Sequence, residues 1–158
     1  MKLLFLFIVF LHVVSCSTET DSKTIYGKVV SIADGDTFTL LSNENKQIKI
    51  RLHGIDCPEK KQDFGQVAKQ KLSDLIFGKT VRVVQKDIDR YKRIVALVYD
   101  EQNNCINTEM LKAGLAWHYT KYDQNPEWQQ LENSARANHL GLWSQPSPTP
   151  PWEWRKNN

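Results

Sequence analysis

The sequence predicts an α+β protein, a small β-barrel with helices appended. Two observations point there. Five β-type segments come in quick succession with one helical stretch between the third and the fourth, and further helical periodicity follows only after the fifth. The composition, 41% hydrophobic and 25% charged over 158 residues, suits one globular domain with a single core and leaves no room for two.

The first strand is predicted over Ile25 to Ala33, rich in β-branched residues, and Asp34-Gly35-Asp36 is a hairpin turn signal. Thr37 to Leu41 makes the second strand and Asn43-Glu44-Asn45 the next turn. Gln47 to Ile55 then alternates Ile48, Ile50 and Leu52 against Lys49, Arg51 and His53. The period changes at Phe64, where Val67, Ala68, Lys71, Leu72, Leu75 and Ile76 recur at helical spacing. Asp63 with Gln66 is a candidate capping box, and Gly78 a helix stop. Thr80 to Lys86 and Ile94 to Tyr99 read as the fourth and fifth strands. Asn107 is expected to cap a short helix ending at Gly114. Asn125-Pro126 opens a last one, with Trp128, Leu131, Ala135 and Leu142 on one side. Three strands, a helix and two more strands is the order of a five-stranded OB-fold barrel, here with three helices in all. Such barrels often bind oligonucleotides on one face, although fold alone does not assign function.

The ends differ from this domain, which is drawn at residues 24–144. Met1-Lys2 precedes the apolar run Leu3 to Val14, too short for a permanent membrane span and suited to a secretory signal. Val13-Val14-Ser15-Cys16 resembles a bacterial lipobox, so residues 1–16 read as a signal peptide and Cys16 as a lipidation site, which makes the protein an exported one. The other reading is plain cleavage near this point. Residues 17–23 are a polar tether, and Gln145 to Asn158 a Pro- and Trp-rich tail without regular structure. Three cysteines are too few for a disulfide framework, and a Cys57–Cys105 pair stays open. A net charge of +3 weakly favours an acidic partner.

Carboxylates and arginines carry the chemistry. Hydrolysing a phosphodiester requires a hard cation or guanidinium groups against the anionic oxygens, and a base for the attacking water. Asp34-Gly35-Asp36-Thr37 and Asp56-Cys57-Pro58-Glu59 each follow a strand, where a barrel rim would place them. Arg51 in the third strand and Arg93 opening the fifth stand near similar ends. Taken singly, each also has a plain reading as a turn or a solvated charge.

Ala33 to Thr37, Ile50 to Leu52 with Ile55 to Glu59, and Asp89-Arg90-Tyr91-Lys92-Arg93 resemble successive signatures of the staphylococcal (micrococcal) nuclease family. Gly114-Leu115-Ala116-Trp117 and Gly141-Leu142-Trp143-Ser144 are similar to its later helical part, so the resemblance runs from about Tyr26 to Ser144. It implies a Ca²⁺ held by Asp36, Asp56 and the main-chain carbonyl of Cys57, oxygen ligands that suit this cation. It implies Glu59 as the residue orienting or deprotonating water, Arg51 and Arg93 as the phosphate clamps, and Tyr91 in the nucleotide pocket. The implied activity is cleavage of DNA and RNA by a monomer with little sequence preference, leaving 3′-phosphate ends. Lys92 stands where the family usually has glycine and could add a phosphate contact, and Cys57 where it often has threonine. The alternatives are a non-catalytic nucleic-acid-binding module, a surface lipoprotein scaffold, and a zinc site using His53 with Cys57, Asp56 and Asp36.

Overall fold

The computed structural model describes residues 23–157. The predicted signal segment, Cys16 and the tether up to residue 22 lie outside the described residues. In chain order the elements are β1 (Thr24–Ile32), β2 (Thr37–Ser42), β3 (Gln47–Leu52), β4 (Ile55–Asp56), α1 (Gly65–Ile76), β5 (Thr80–Ile88), β6 (Ile94–Tyr99), α2 (Ile106–Lys112), β7 (Trp117–His118), α3 (Pro126–Ala137), a 3₁₀ turn (Gly141–Ser144) and α4 (Pro151–Asn157).

Five strands close a barrel in the order β1-β2-β3-β6-β5, which is the expected OB-type architecture. β3 and β6 run parallel, with Ile50 opposite Ile94 and Arg51 opposite Val95, and the other neighbours are antiparallel. The alternation read from β3 is real: Ile50 and Leu52 point into the core while Arg51 points away. Val29, Phe38, Leu40, Ile50, Val81, Val83, Ala96 and Val98 fill the barrel. Ala68, Leu72 and Ile76 of α1 close one end, and Ile106, Met110 and Leu111 of α2 extend the same core.

Several local expectations are corrected. The third strand does not run through to Ile55. It breaks at His53-Gly54, where Gly54 has φ +69°, and Ile55–Asp56 pairs instead with Trp117–His118. Asp63 and Gln66 form no capping box: α1 is preceded by Phe64 in the left-handed region without a side-chain cap. Asp63 instead accepts from Gln145 at 2.9 Å, and Gln66 donates to the Lys60 carbonyl at 3.0 Å. Asn107 is not a cap, because Cys105 holds that position and Asn107 is buried inside α2. Its side chain accepts the Val98 N–H at 3.0 Å and donates to the carbonyls of His53 at 2.9 Å and Ala96 at 3.1 Å. It thus satisfies β6 where β3 turns away.

Asn125 does cap α3, accepting from Glu127 N–H at 2.9 Å with Pro126 in the first turn. That helix stops at Ala137. Leu142 lies on the separate 3₁₀ turn, reached through positive φ at His139 and Gly141. The tail is not irregular either. Pro151–Asn157 is helical, and Trp152 stacks on Tyr119 with centroids 4.9 Å apart and planes at 10°. The aromatic anchor gives this short helix the tertiary packing it needs. The chain therefore has four helices and a 3₁₀ turn among the described residues, not three helices.

Asn107→Ala would take this partner from the buried Val98 N–H and the His53 carbonyl, while the Ala96 carbonyl keeps the His53 N–H at 2.8 Å. It should lower the unfolding free energy by about 3 kcal/mol, measured by urea denaturation followed through tryptophan emission.

Candidate active site

The segment between β1 and β2 owes its shape to close packing. Asp34 accepts the Asp36 N–H at 3.1 Å, forming an Asx turn, and the Asp36 carbonyl receives the Leu52 N–H at 2.8 Å. A Cβ on Gly35 would stand 2.7 Å from that of Ala68 and 2.8 Å from that of Cys57. The glycine is therefore required by the approach of α1 and the Cys57 loop, and not by the turn alone. Asp36 is left buried with its carboxylate facing Arg51.

Arg51 lies opposite Thr37 across the β2–β3 ladder, and its guanidinium forks between two carboxylates. Nη1 donates to Asp36 Oδ1 at 2.6 Å and Nη2 to Asp56 Oδ1 at 2.8 Å. Asp56 is fully buried in β4. The Cys57 N–H donates to Asp36 Oδ2 at 3.1 Å and the Thr37 hydroxyl to Asp36 Oδ1 at 3.0 Å. The two sequence-predicted acidic segments thus meet at one end of the barrel, joined by one arginine.

Glu59 sits just beyond on a loop braced by α1. A Cβ on Gly65 would lie 1.9 Å from the Glu59 carbonyl oxygen, so only glycine lets the helix start there. Gln62 Oε1 accepts the Glu59 N–H at 3.1 Å, and its Nε2 donates to the Thr149 carbonyl at 2.6 Å. Sequence reasoning missed Arg155. From α4 its Nη2 donates to Asp56 Oδ2 at 2.7 Å, and its Nη1 to Glu59 Oε1 at 2.7 Å and Asp56 Oδ1 at 3.3 Å. The available signal was a basic residue beside the aromatic anchors of the tail.

Arg93 lies at the edge of the same end. Its Nε donates to Asp89 Oδ2 at 2.7 Å and its Nη1 to the Thr37 hydroxyl at 3.3 Å. Asp89 also accepts the N–H groups of Tyr91 and Arg93, which fixes the turn. Tyr91 is exposed, with the guanidinium carbons of Arg90 and Arg93 4.9 and 5.4 Å from its ring centre. Lys92 has φ +62°, a conformation that explains why glycine suits this position and that lysine adopts at some strain. His53 faces Asp123 at 3.4 Å, and burial first, then nearby Lys86, keeps its ring below the usual histidine range despite that partner.

Burial and the Asp36 carboxylate push Asp34 up to about 7. Burial also raises Asp56 beyond what Arg155 and Arg51 offset. Burial opposes the charge of Arg51, yet Asp36 and Asp56 hold it well above its ordinary value. The Cys57 thiol is raised by burial and by Asp36 and Asp56, so at neutral pH it is protonated.

The lone pairs test whether a divalent cation fits. Asp36 Oδ1 is filled by Thr37 and Arg51, whereas Oδ2 takes only the Cys57 N–H, and Asp56 Oδ2 takes only Arg155. No main-chain N–H outside the regular elements donates to the Cys57 carbonyl among the described residues. Two carboxylate oxygens and a main-chain oxygen are hard donors that suit Ca²⁺ with water completing its shell. No group of three or more His, Cys, Asp or Glu side chains is gathered for a metal among the described residues.

Comparison with known proteins gives a match to the staphylococcal nuclease homologue family over residues 49–145. An uncharacterised endonuclease of Haemophilus influenzae is 44% identical, over 96% of this chain and 82% of its own. A micrococcal nuclease of Shigella flexneri is 41% identical, over 82% of this chain and 80% of its own. The staphylococcal-like nuclease CAN1 of Arabidopsis thaliana is also 41% identical, over 89% of this chain but 43% of its own.

Arg51→Met would leave Asp36 and Asp56 buried without the charge between them. In metal-free buffer it should cost about 3 kcal/mol of stability, read from the urea midpoint. The double change Asp36→Asn with Arg51→Met should cost less than Arg51→Met alone.

Proposed function

The chain belongs to the staphylococcal nuclease family and is a nuclease, and from that premise we propose that it hydrolyses both DNA and RNA in a Ca²⁺-dependent manner, as a monomer, leaving 3′-phosphate ends. The observation that carries this reading is the meeting of Asp36 and Asp56 across the Arg51 guanidinium, with Glu59 beside them. Asp36, Asp56 and the Cys57 carbonyl would hold the cation, which supplies Lewis-acid charge to a phosphoryl oxygen.

The protein's own groups supply the rest. Glu59 is partly exposed, within reach of water entering from the rim, and accepts its proton as the water oxygen bonds to phosphorus and the P–O5′ bond breaks, the 5′ oxygen leaving as a hydroxyl with a proton from solvent. Arg93, fixed through Nε by Asp89, keeps Nη1 on the Thr37 hydroxyl, and there it would meet the charge that builds on the phosphoryl oxygens. Arg51 neutralises the buried pair and holds it in register for the cation. Tyr91 and Lys92 flank Arg93 on an exposed turn that receives the neighbouring nucleotide. Recognition through phosphate carries little sequence information, so preference among bases is weak, and a single strand enters more readily than a stiff duplex.

Glu59→Gln and Arg93→Lys should each lower kcat by about 10²-fold or more with the fold unchanged by circular dichroism, and excess chelator should abolish cleavage. Cys57→Ser should keep activity and Ca²⁺ dependence within a few-fold. Wild-type rates in both Glu59→Gln and Arg93→Lys would sink the assignment.

The lipobox-like Val13-Val14-Ser15-Cys16 supports export and attachment to the cell envelope through lipid on Cys16. Cys16→Ser should release the protein from the membrane fraction. An unmodified mature N-terminus beyond residue 16, seen by mass spectrometry, would refute lipidation.

A further inference from the structure

We propose that Arg155 is a third guanidinium of this site, an internal competitor that occupies Asp56 and Glu59 until a divalent cation takes the carboxylates. This rests on the reading of Asp56 as a metal ligand and Glu59 as the base. Arg155 lies outside residues 49–145, so the family match says nothing of it.

The strap that delivers it is docked at several points. Pro151 is buried, and Trp152 stacks on Tyr119 and meets Trp117 edge-on at 5.6 Å. Gln62 ties Thr149 to the same loop that holds Glu59. At the end of this strap the Arg155 fork spans two acidic residues and fills both oxygens of Asp56. The planar guanidinium matches such paired acceptors.

Charge explains why the fork settles there. Asp36, Asp56 and Glu59 carry three negative charges when ionised, and Arg51 returns one. The remainder equals that of one divalent cation, and Arg155 is the group that partly fills the deficit. A cation on Asp56 Oδ2 would sit close to the Arg155 fork, and the two like charges repel. A Glu59 carboxylate oxygen that accepts from Arg155 at 2.7 Å also has one lone pair fewer to offer an incoming water. Arg155 in its present place therefore opposes both metal loading and the chemistry, and it must yield for either. Its guanidinium is partly exposed, with side-chain accessibility of 41%, so a path out to solvent exists.

The test measures metal binding directly. Isothermal titration of the wild-type protein and of Arg155→Gln with Ca²⁺, in the absence of nucleic acid, should show affinity on the order of tenfold tighter in the variant, since removing a competing state raises the binding-competent fraction. Arg155→Lys, with one charge but no fork, should fall between them. Matching melting temperatures in metal-free buffer would not be expected, because the bridge is lost, so a second readout uses the unmutated protein. The Arg155 guanidinium resonances in ¹⁵N NMR, assigned through Arg155→Lys, should show hindered rotation without metal and lose it on saturation with Ca²⁺. Equal or weaker Ca²⁺ affinity in Arg155→Gln, or rotation that stays hindered in the loaded protein, would overturn this inference alone. Failure of both proteins to bind Ca²⁺ would overturn it together with the metal assignment.

Discussion

Two carboxylates buried at one end of a barrel repel each other and lose hydration, and neither cost is met by packing. In this protein the Arg51 guanidinium meets both, with one nitrogen on Asp36 and the other on Asp56. The rest of the site is arranged around that fork. Asp36 reaches it because Gly35 lets the β1–β2 turn approach Cys57, and Asp56 reaches it because β4 pairs with β7. Glu59 follows from the loop after Asp56, and the Cys57 N–H orients Asp36 through Oδ2. A buried charged cluster of this kind gives little net stability.

The barrel was readable because its strands alternate clearly, and β3 shows the pattern best, with Ile50 and Leu52 inside and Arg51 outside. The acidic and basic segments were readable through short motifs at strand ends. What stayed hidden depended on tertiary partners. Asn107 looks like a cap in sequence, since its residue type favours that position, but it is drawn inside to satisfy β6 and the His53 carbonyl. Asp63 and Gln66 have capping-box spacing, yet Gln145 and the Lys60 carbonyl claim them. The helix at Pro151–Asn157 carries no amphipathic signal of its own, because seven residues depend on the Trp152–Tyr119 stack. Arg155 was missed for the same reason: its partners are 96 and 99 positions earlier in the chain.

A second group of aromatic and charged side chains binds the later helices to the barrel. Trp117 and Trp143 pack edge to face at 4.4 Å, and the Arg136 guanidinium lies 3.6 Å from the Trp143 ring centre. Glu132 accepts from Arg136 and from the His118 N–H, so α3 holds β7, and β7 holds β4 with Asp56. A helix with no residue in the site thus controls one of the two carboxylates joined by Arg51.

The parallel pairing of β3 with β6 has a consequence for how the site moves. Asp36, Arg51 and Arg93 are mounted on or beside barrel strands whose inward neighbours, Phe38, Ile50 and Leu52, are buried in the common core. A one-residue slip of β3 would turn Arg51 inward and expose its apolar neighbours, so the core locks the position of the charge. Amide protons around Arg51 can exchange with solvent only when that ladder opens, on the scale of global unfolding. Glu59 lies outside that ladder, on a loop fastened by Gln62, α1 and Arg155. The site therefore has two separate anchorages, the barrel core for Asp36 and Arg51 and these loop contacts for Glu59, and a change that loosens one need not move the other.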